Sequence, residues 1–172
     1  GSNRCPRGDS CFAEQARRRA DGSPLQLGLG VSAYIEITNV VPETEFGEVE
    51  VTAEGGAIVR TGSMSTGQGH ETTFAQIASA RLGIPVESIE LVKGDTDLVP
   101  MGTGTYGSKS TQLGGTAIRL AADEVAENAK KVAADQLEVS PDDVVLDTVG
   151  GRFHVVGAPQ RGVSWTEVAG QA

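Results

Sequence analysis

Apolar positions fall into two periods along this chain, and the changes between them mark its elements. Over residues 27–38 the alternation is strict. Leu27, Leu29, Val31, Ala33, Ile35 and Ile37 share one face, while Gly28, Gly30, Ser32, Tyr34, Glu36 and Thr38 share the other. Period two over so long a stretch predicts a strand with one buried face. Gly28 and Gly30 leave the second face nearly bare, open to another backbone or a ligand. Before it, residues 12–20 read as a short helix ending in Arg17, Arg18 and Arg19, which suit a C-terminal turn, and Asp21-Gly22-Ser23-Pro24 break it. Residues 39–45 read as a loop. Residues 48–53 and 57–61 form a predicted hairpin closed by Glu54-Gly55-Gly56.

The period then lengthens. Phe74, Ile77, Ala78 and Leu82 recur at helical spacing after Gly69, and Gly83 can end that helix. A turn over 85–88 leads to a strand at 89–92. Beyond Gly114, Ile118, Ala121, Val125, Ala129, Val132, Ala133 and Leu137 share a face, which predicts an amphipathic, alanine-rich helix of over twenty residues. Ser140-Pro141 starts a new turn. Residues 144–146 and 152–156 read as a second hairpin, and 164–168 as the first turn of a helix cut off by the chain end. The order β, ββ, α, β, α, ββ places the chain in the α+β class: a mixed β-sheet with helices packed on one face, in two layers.

Length and charge narrow this picture. A chain of 172 residues is one domain or a piece of one. Residues 1–12 are expected to be a tag or a disordered N-terminal segment, and 13–172 the folded part. The net charge of −9 argues against nucleic acid and against an anionic membrane as partners. No run of 18 apolar residues spans a bilayer and no signal peptide is legible, so a cytoplasmic location is expected. Cys5 and Cys11 flank Arg7-Gly8-Asp9, but the rest of the chain has no cysteine and no secreted-scaffold character. Two thiols and two histidines make a poor zinc site, and no metal ligand set is assigned.

Two glycine-rich loops carry the candidate chemistry. Residues 102–111, GTGTYGSKST, and residues 66–72, TGQGHET, each run into a helix. Glycine lets a backbone come close to a ligand, and a helix start leaves N–H groups that favour an anion. Gly102-x-Gly104-x-x-Gly107 matches the dinucleotide fingerprint literally, yet no strand runs directly into it and no acid ends a second strand downstream. The phosphate-loop pattern also fails, because Lys109 lies one residue too far from Gly107. A free-standing nucleotide- or anion-binding or assembly domain is therefore the alternative reading. Gln68 offers both a donor and an acceptor, which suits a heterocycle edge or an oxo group. His70 is either a ligand contact or a plain helix-start residue. Asp95 and Asp97 read as turn caps ahead of a paired-carboxylate site, and Glu36 as a solvent-facing residue. Neither His70 nor His154 has an evident nucleophile partner, so no catalytic set is assembled.

Four stretches, GVSAYIEIT (30–38), TGQGHETTFAQI (66–77), GDTDLVP (94–100) and GTGTYGSKST (102–111), resemble the large subunit of the molybdenum hydroxylases, the xanthine dehydrogenase and aldehyde oxidase family. The resemblance is strongest to aerobic-type carbon monoxide dehydrogenases and runs over about 13–168. It implies a fragment of a molybdopterin-binding domain, with Gly67, Gln68, Gly69 and His70 lining the cofactor. Thr105, Tyr106, Gly107, Ser108, Lys109, Ser110 and Thr111 would bind its pyrophosphate or pterin. The cytosine dinucleotide form of the cofactor is one option. The family usually has arginine where this chain has Lys109, which puts a bidentate clamp there in doubt.

The family's subunit is much longer, with an earlier cofactor-binding stretch and a later glutamate acting as general base. Neither appears here, and neither cysteine matches the family's copper-bearing loop. The resemblance therefore implies an oxidoreductase parent, with no catalytic residue in this segment and cofactor absent from the isolated chain. Its implied partners are the rest of the large subunit and iron–sulfur and FAD-binding subunits or domains. Self-association of the fragment is also expected.

Overall fold

The computed structural model of the chain describes residues 8–40 and 44–171. They fall into two compact units, one up to Glu36 and one from Ile37 onward. The first unit holds α1 (Gly8–Ala20), which starts four residues before the predicted helix. Glu14 accepts from Arg17 and Arg18 one turn on, and those hydrogen bonds hold its carboxyl down at about 2. After the Gly22 turn, Gln15 Nε2 donates to the carbonyl of Leu27 at 2.8 Å. Cys5 lies outside the described residues, as do 41–43 of the predicted loop.

The strand expected over 27–38 is not formed. The segment is irregular, and its apolar face is open: Val31 is 101% exposed and Ile35 92%. Alternation specifies a face, but a strand also needs a neighbour to take its backbone hydrogen bonds. Among the described residues no strand pairs with this tract.

The second unit is built on two three-stranded sheets where the pattern predicted one. In the first, β1 (Gly47–Val51) and β2 (Ala57–Thr61) form the predicted hairpin, and β3 (Ile89–Val92) lies parallel to β2 with Ala57 opposite Ile89. The crossover between β2 and β3 is α2 (His70–Leu82), ended by Gly83 at φ 69°. The connection after β3 leads to α3 (Ser110–Leu137). In the second sheet β4 (Val144–Asp147), β5 (Arg152–Val155) and β6 (Ala158–Ser164) are antiparallel in chain order. β6 has no strand signal in the sequence, because APQRGVS shows no alternation of apolar and polar positions.

The helices are packed by small residues. α2 and α3 lie against each other and against the first sheet, and α3 continues onto the second sheet. Phe74, Leu82, Ile84 and Ile118 are fully buried between them, with Val59 from β2. α3 begins four residues before Gly114, so Gly114 and Gly115 lie inside it and both are buried. A Cβ at Gly114 would stand 2.9 Å from Ser63 Oγ and 3.2 Å from Phe74 Cζ, so the side chains of Ser63 and Phe74 fill the space that glycine leaves. At the far end, α4 (Trp165–Ala169) opens on a capping box in which Ser164 and Glu167 bond reciprocally. Its Trp165 packs edge-on against Phe153 at 4.8 Å and donates from Nε1 to the carbonyl of Leu82 at 2.7 Å. That carbonyl is one of those the end of α2 leaves without a helical partner.

Candidate functional site

The parallel pairing of β2 and β3 decides where the two glycine loops go. Parallel neighbours end on the same side of a sheet, and in such sheets the carboxyl ends of the strands are where ligands bind. The first loop leaves β2 at Gly62, and the second returns past it at Gly102. These two glycines pack backbone to backbone, so that a Cβ on either would run into the other's main chain. Both loops then rise to a helix start on this side.

Between them lies a cavity of about 420 Å³. Gln68, His70 and Thr73 line it from the first loop and α2. Thr105, Tyr106, Ser108, Lys109, Ser110 and Thr111 line it from the second loop and α3. None of these nine residues is acidic. Of the residues singled out from the sequence, Gly67, Gly69 and Gly107 do not line the cavity. They turn the backbone instead, at φ 106°, 74° and 58°, and Ser108 follows Gly107 at 54°. A left-handed turn at Ser108 is uncommon for a residue with a Cβ, and it sets the entry into α3.

No side chain caps either helix start. The first backbone bonds are Thr73 N–H to the carbonyl of Gly69 and Leu113 N–H to that of Lys109. The N–H groups before them are those a helix start leaves to ligand or solvent. In α2 one of these is used locally. The Lys93 ammonium, 2.7 Å away, and its own backbone N–H hold the Glu71 carboxyl below the usual range.

The side chains at the cavity are held by the protein in different degrees. Gln68 is exposed and folds back on Thr66, accepting its N–H at 2.6 Å. The His70 ring is buried and stacks on Phe74 at 4.8 Å, with Nδ1 3.3 Å from the carbonyl of Ser63. A carbonyl only accepts, so Nδ1 is the donor in this contact and Nε2 is the ring nitrogen left for a ligand. Thr105 Oγ1 donates to the carbonyl of Met64 at 2.6 Å and accepts from Ser110 Oγ at 3.1 Å. Lys109 is 2% exposed. Its Nζ donates to Thr103 Oγ1 at 2.7 Å and sits 3.9 Å from the centre of the Tyr106 ring.

Other candidates resolve into local structure. Asp95 Oδ1 accepts the Asp97 N–H at 2.9 Å, a turn cap of the kind expected. His154 lies in β5, with Nδ1 3.1 Å from the carbonyl of Val155. Among the described residues no group of three His, Cys, Asp or Glu side chains is placed to hold a metal ion.

A family model described as the molybdopterin cofactor-binding domain matches residues 9–172. The chain belongs to the molybdopterin cofactor-binding domain family. Among its curated relatives, the carbon monoxide dehydrogenase large chain of Hydrogenophaga pseudoflava is 41% identical over 171 residues, covering 93% of this chain and 21% of the relative. The gamma subunit of the 6-hydroxypseudooxynicotine dehydrogenase complex of Paenarthrobacter nicotinovorans is 42% identical over 156 residues, covering 91% and 19%. Among solved structures, the Cu,Mo-CO dehydrogenase in its carbon monoxide reduced state matches with a TM-score of 0.69 at 41% identity, covering 76% of this chain and 16% of that one. The chain thus spans about a fifth of the length of these relatives.

The residues present suit such a cofactor. The cavity volume is in the range of small-molecule sites, and its wall offers hydroxyls, an amide and two uncapped helix starts. At Gly67, Gly69 and Gly104 an added Cβ would meet no protein atom within 4 Å, so the backbone there is open to close approach. One residue escaped the sequence reading. Glu45, in what reads as a plain loop, accepts from Ser63 Oγ at 3.0 Å and Thr103 Oγ1 at 3.1 Å, beneath both loops. A glutamate two residues before a strand carries no signal of that role.

Proposed function

We propose that this molybdopterin cofactor-binding chain supplies part of the cofactor site in the large subunit of a molybdenum-dependent oxidoreductase of the carbon monoxide, aldehyde or xanthine dehydrogenase type. The observation that carries this is one polar cavity opened by two uncapped helix starts. Thr105, Ser108, Ser110 and Thr111, with the N–H groups of α3, bind the pyrophosphate. Gln68 and His70, with the start of α2, bind the pterin edge, where a donor–acceptor amide and an imidazole ring held by Ser63 and Phe74 fit a heterocycle. Gly67, Gly69 and Gly107 let the backbone approach, while Tyr106 and Lys109 wall the second loop. The helix dipoles and the absence of acids from the wall favour a dianionic group, which the cytosine dinucleotide form also carries. When bound, the cofactor supplies the redox-active molybdenum. The chain's own residues bind and orient it, and the general base lies outside this segment.

On this reading the isolated chain turns over no substrate and holds cofactor weakly. Its partners are the rest of the large subunit and iron–sulfur and FAD-binding subunits or domains of a cytoplasmic enzyme. The open apolar row of Val31, Ile35 and Ile37 is then a face for polypeptide beyond this chain.

An amide-resolved NMR titration of the 172-residue chain with molybdopterin and, separately, inorganic pyrophosphate tests the site. Shifts at both 69–72 and 108–112 with molybdopterin are expected, and pyrophosphate alone should move mainly 108–112. Movement in one loop only with molybdopterin would refute the shared site. Equal response to pyrophosphate and ADP, with none to molybdopterin, would establish an anion-binding domain without a redox parent.

A further inference from the structure

We infer that Glu45 is a positioning residue that holds the two helix starts in register across the cavity; the inference rests on the cofactor-site reading above. The geometry is a branched relay. Glu45 Oε2 accepts from Ser63 Oγ at 3.0 Å on one side and from Thr103 Oγ1 at 3.1 Å on the other. Its Oε1 accepts the N–H of Phe46 at 2.9 Å, which fixes the carboxylate plane. The Ser63 arm reaches the first loop, because the carbonyl of Ser63 holds His70 Nδ1 at 3.3 Å. The Thr103 arm reaches the second, because Thr103 Oγ1 and its carbonyl take Lys109 Nζ at 2.7 and 3.3 Å.

His70 is the first residue of α2, and Lys109 is the residue that leads into α3. Each helix start is thus tied through one hydroxyl-bearing residue to a single carboxylate. Ser63 is fully buried and Glu45 partly so, and hydrogen bonds to a charged acceptor shielded from water are the stronger kind. Ligand groups are positioned well only when the residues behind them are themselves fixed. A carboxylate cannot be replaced by a hydroxyl or an amide here without losing one acceptor, since both bonds enter the same oxygen while the other holds the backbone.

Hydrogen–deuterium exchange on the full chain without ligand tests this, so that its outcome is separate from that of cofactor binding. In Glu45→Ala, the first hydrogen-bonded amides of the two helices, 73–76 and 113–116, should exchange faster by roughly tenfold together, while β4 and β5 keep their protection. Glu45→Gln should recover part of the protection on both sides. Thr103→Val should loosen 113–116 alone, and Ser63→Ala 73–76 alone. Should Glu45→Ala not fold, these two single-arm variants decide. Acceleration confined to residues 44–47 in Glu45→Ala, or single-arm variants that each loosen both loops or neither, would overturn the relay.

Discussion

Gly114 and Gly115 are neighbours on one helix, yet replacing each by alanine should move stability in opposite directions. Both lie well inside α3, where alanine is favoured over glycine by about 1 kcal/mol. The difference is what the new methyl meets. At Gly115 it would come within 2.9 Å of Ile77 Cδ1, the far end of a flexible side chain that can swing aside. At Gly114 it would come within 2.9 Å of Ser63 Oγ and 3.2 Å of Phe74 Cζ. Both of those residues are wholly buried, and Ser63 Oγ is committed to Glu45. Overpacking against atoms that cannot move costs about 1–3 kcal/mol. The net expectation is a loss of about 1 kcal/mol in Gly114→Ala and a gain of about 0.5 kcal/mol in Gly115→Ala. With a urea dependence of about 2 kcal/mol per molar, the two midpoints should differ by roughly 0.7 M. Equilibrium urea unfolding followed by helical circular dichroism at both sites measures this. A Gly114→Ala chain as stable as the parent, or equal shifts in the same direction, would refute the packing argument.

Two further outcomes follow from α4. Trp165→Phe removes the N–H that satisfies the buried Leu82 carbonyl, and should cost about 2 kcal/mol and lower Tm by roughly 4–8 °C; scanning calorimetry showing an unchanged Tm would contradict the role of that bond. The Glu167 carboxyl lies below its ordinary range because it accepts the backbone N–H and the hydroxyl of Ser164. A folded-state value below the unfolded one means that its contribution is present above the unfolded value and is lost as pH falls through the folded one. The stability difference between the parent and Glu167→Gln should therefore be constant near neutrality and vanish in acid; a difference that grows on acidification would reverse the assignment.

The elements whose pattern reports burial within this chain were legible. The apolar stripe of Phe74, Ile77, Ala78 and Leu82 gave α2, and Gly83 ends it by the left-handed turn that glycine allows. α3 opens at Ser110, ahead of the apolar stripe that begins at Ile118, because its first turns carry glycines that face Ser63, Phe74 and Ile77 in place of apolar side chains. β6 was hidden since Pro159, Gln160 and Arg161 face outward on an edge strand and need no apolar partner. Residues 27–38 show the converse failure: a perfect alternation marks a face to be covered, and what would cover it is not in the described residues. At the site, residue types pointed to both loops, but their meeting depends on β2 and β3 running parallel, which no local pattern encodes. Glu45 was invisible for the same reason, since its partners lie 18 and 58 residues away.

At 28 residues, α3 is a rod about 42 Å long, with its first turn in the cavity wall and its last turns against the second sheet. Leverage follows from that length. A tilt of about 3° pivoting on the distal sheet would carry the first turn by about 2 Å, enough to spoil a hydrogen bond. Insertions, truncations or fusions beyond Leu137 should accordingly be judged by the geometry they leave at Ser110 and Thr111, however remote they look on the linear map.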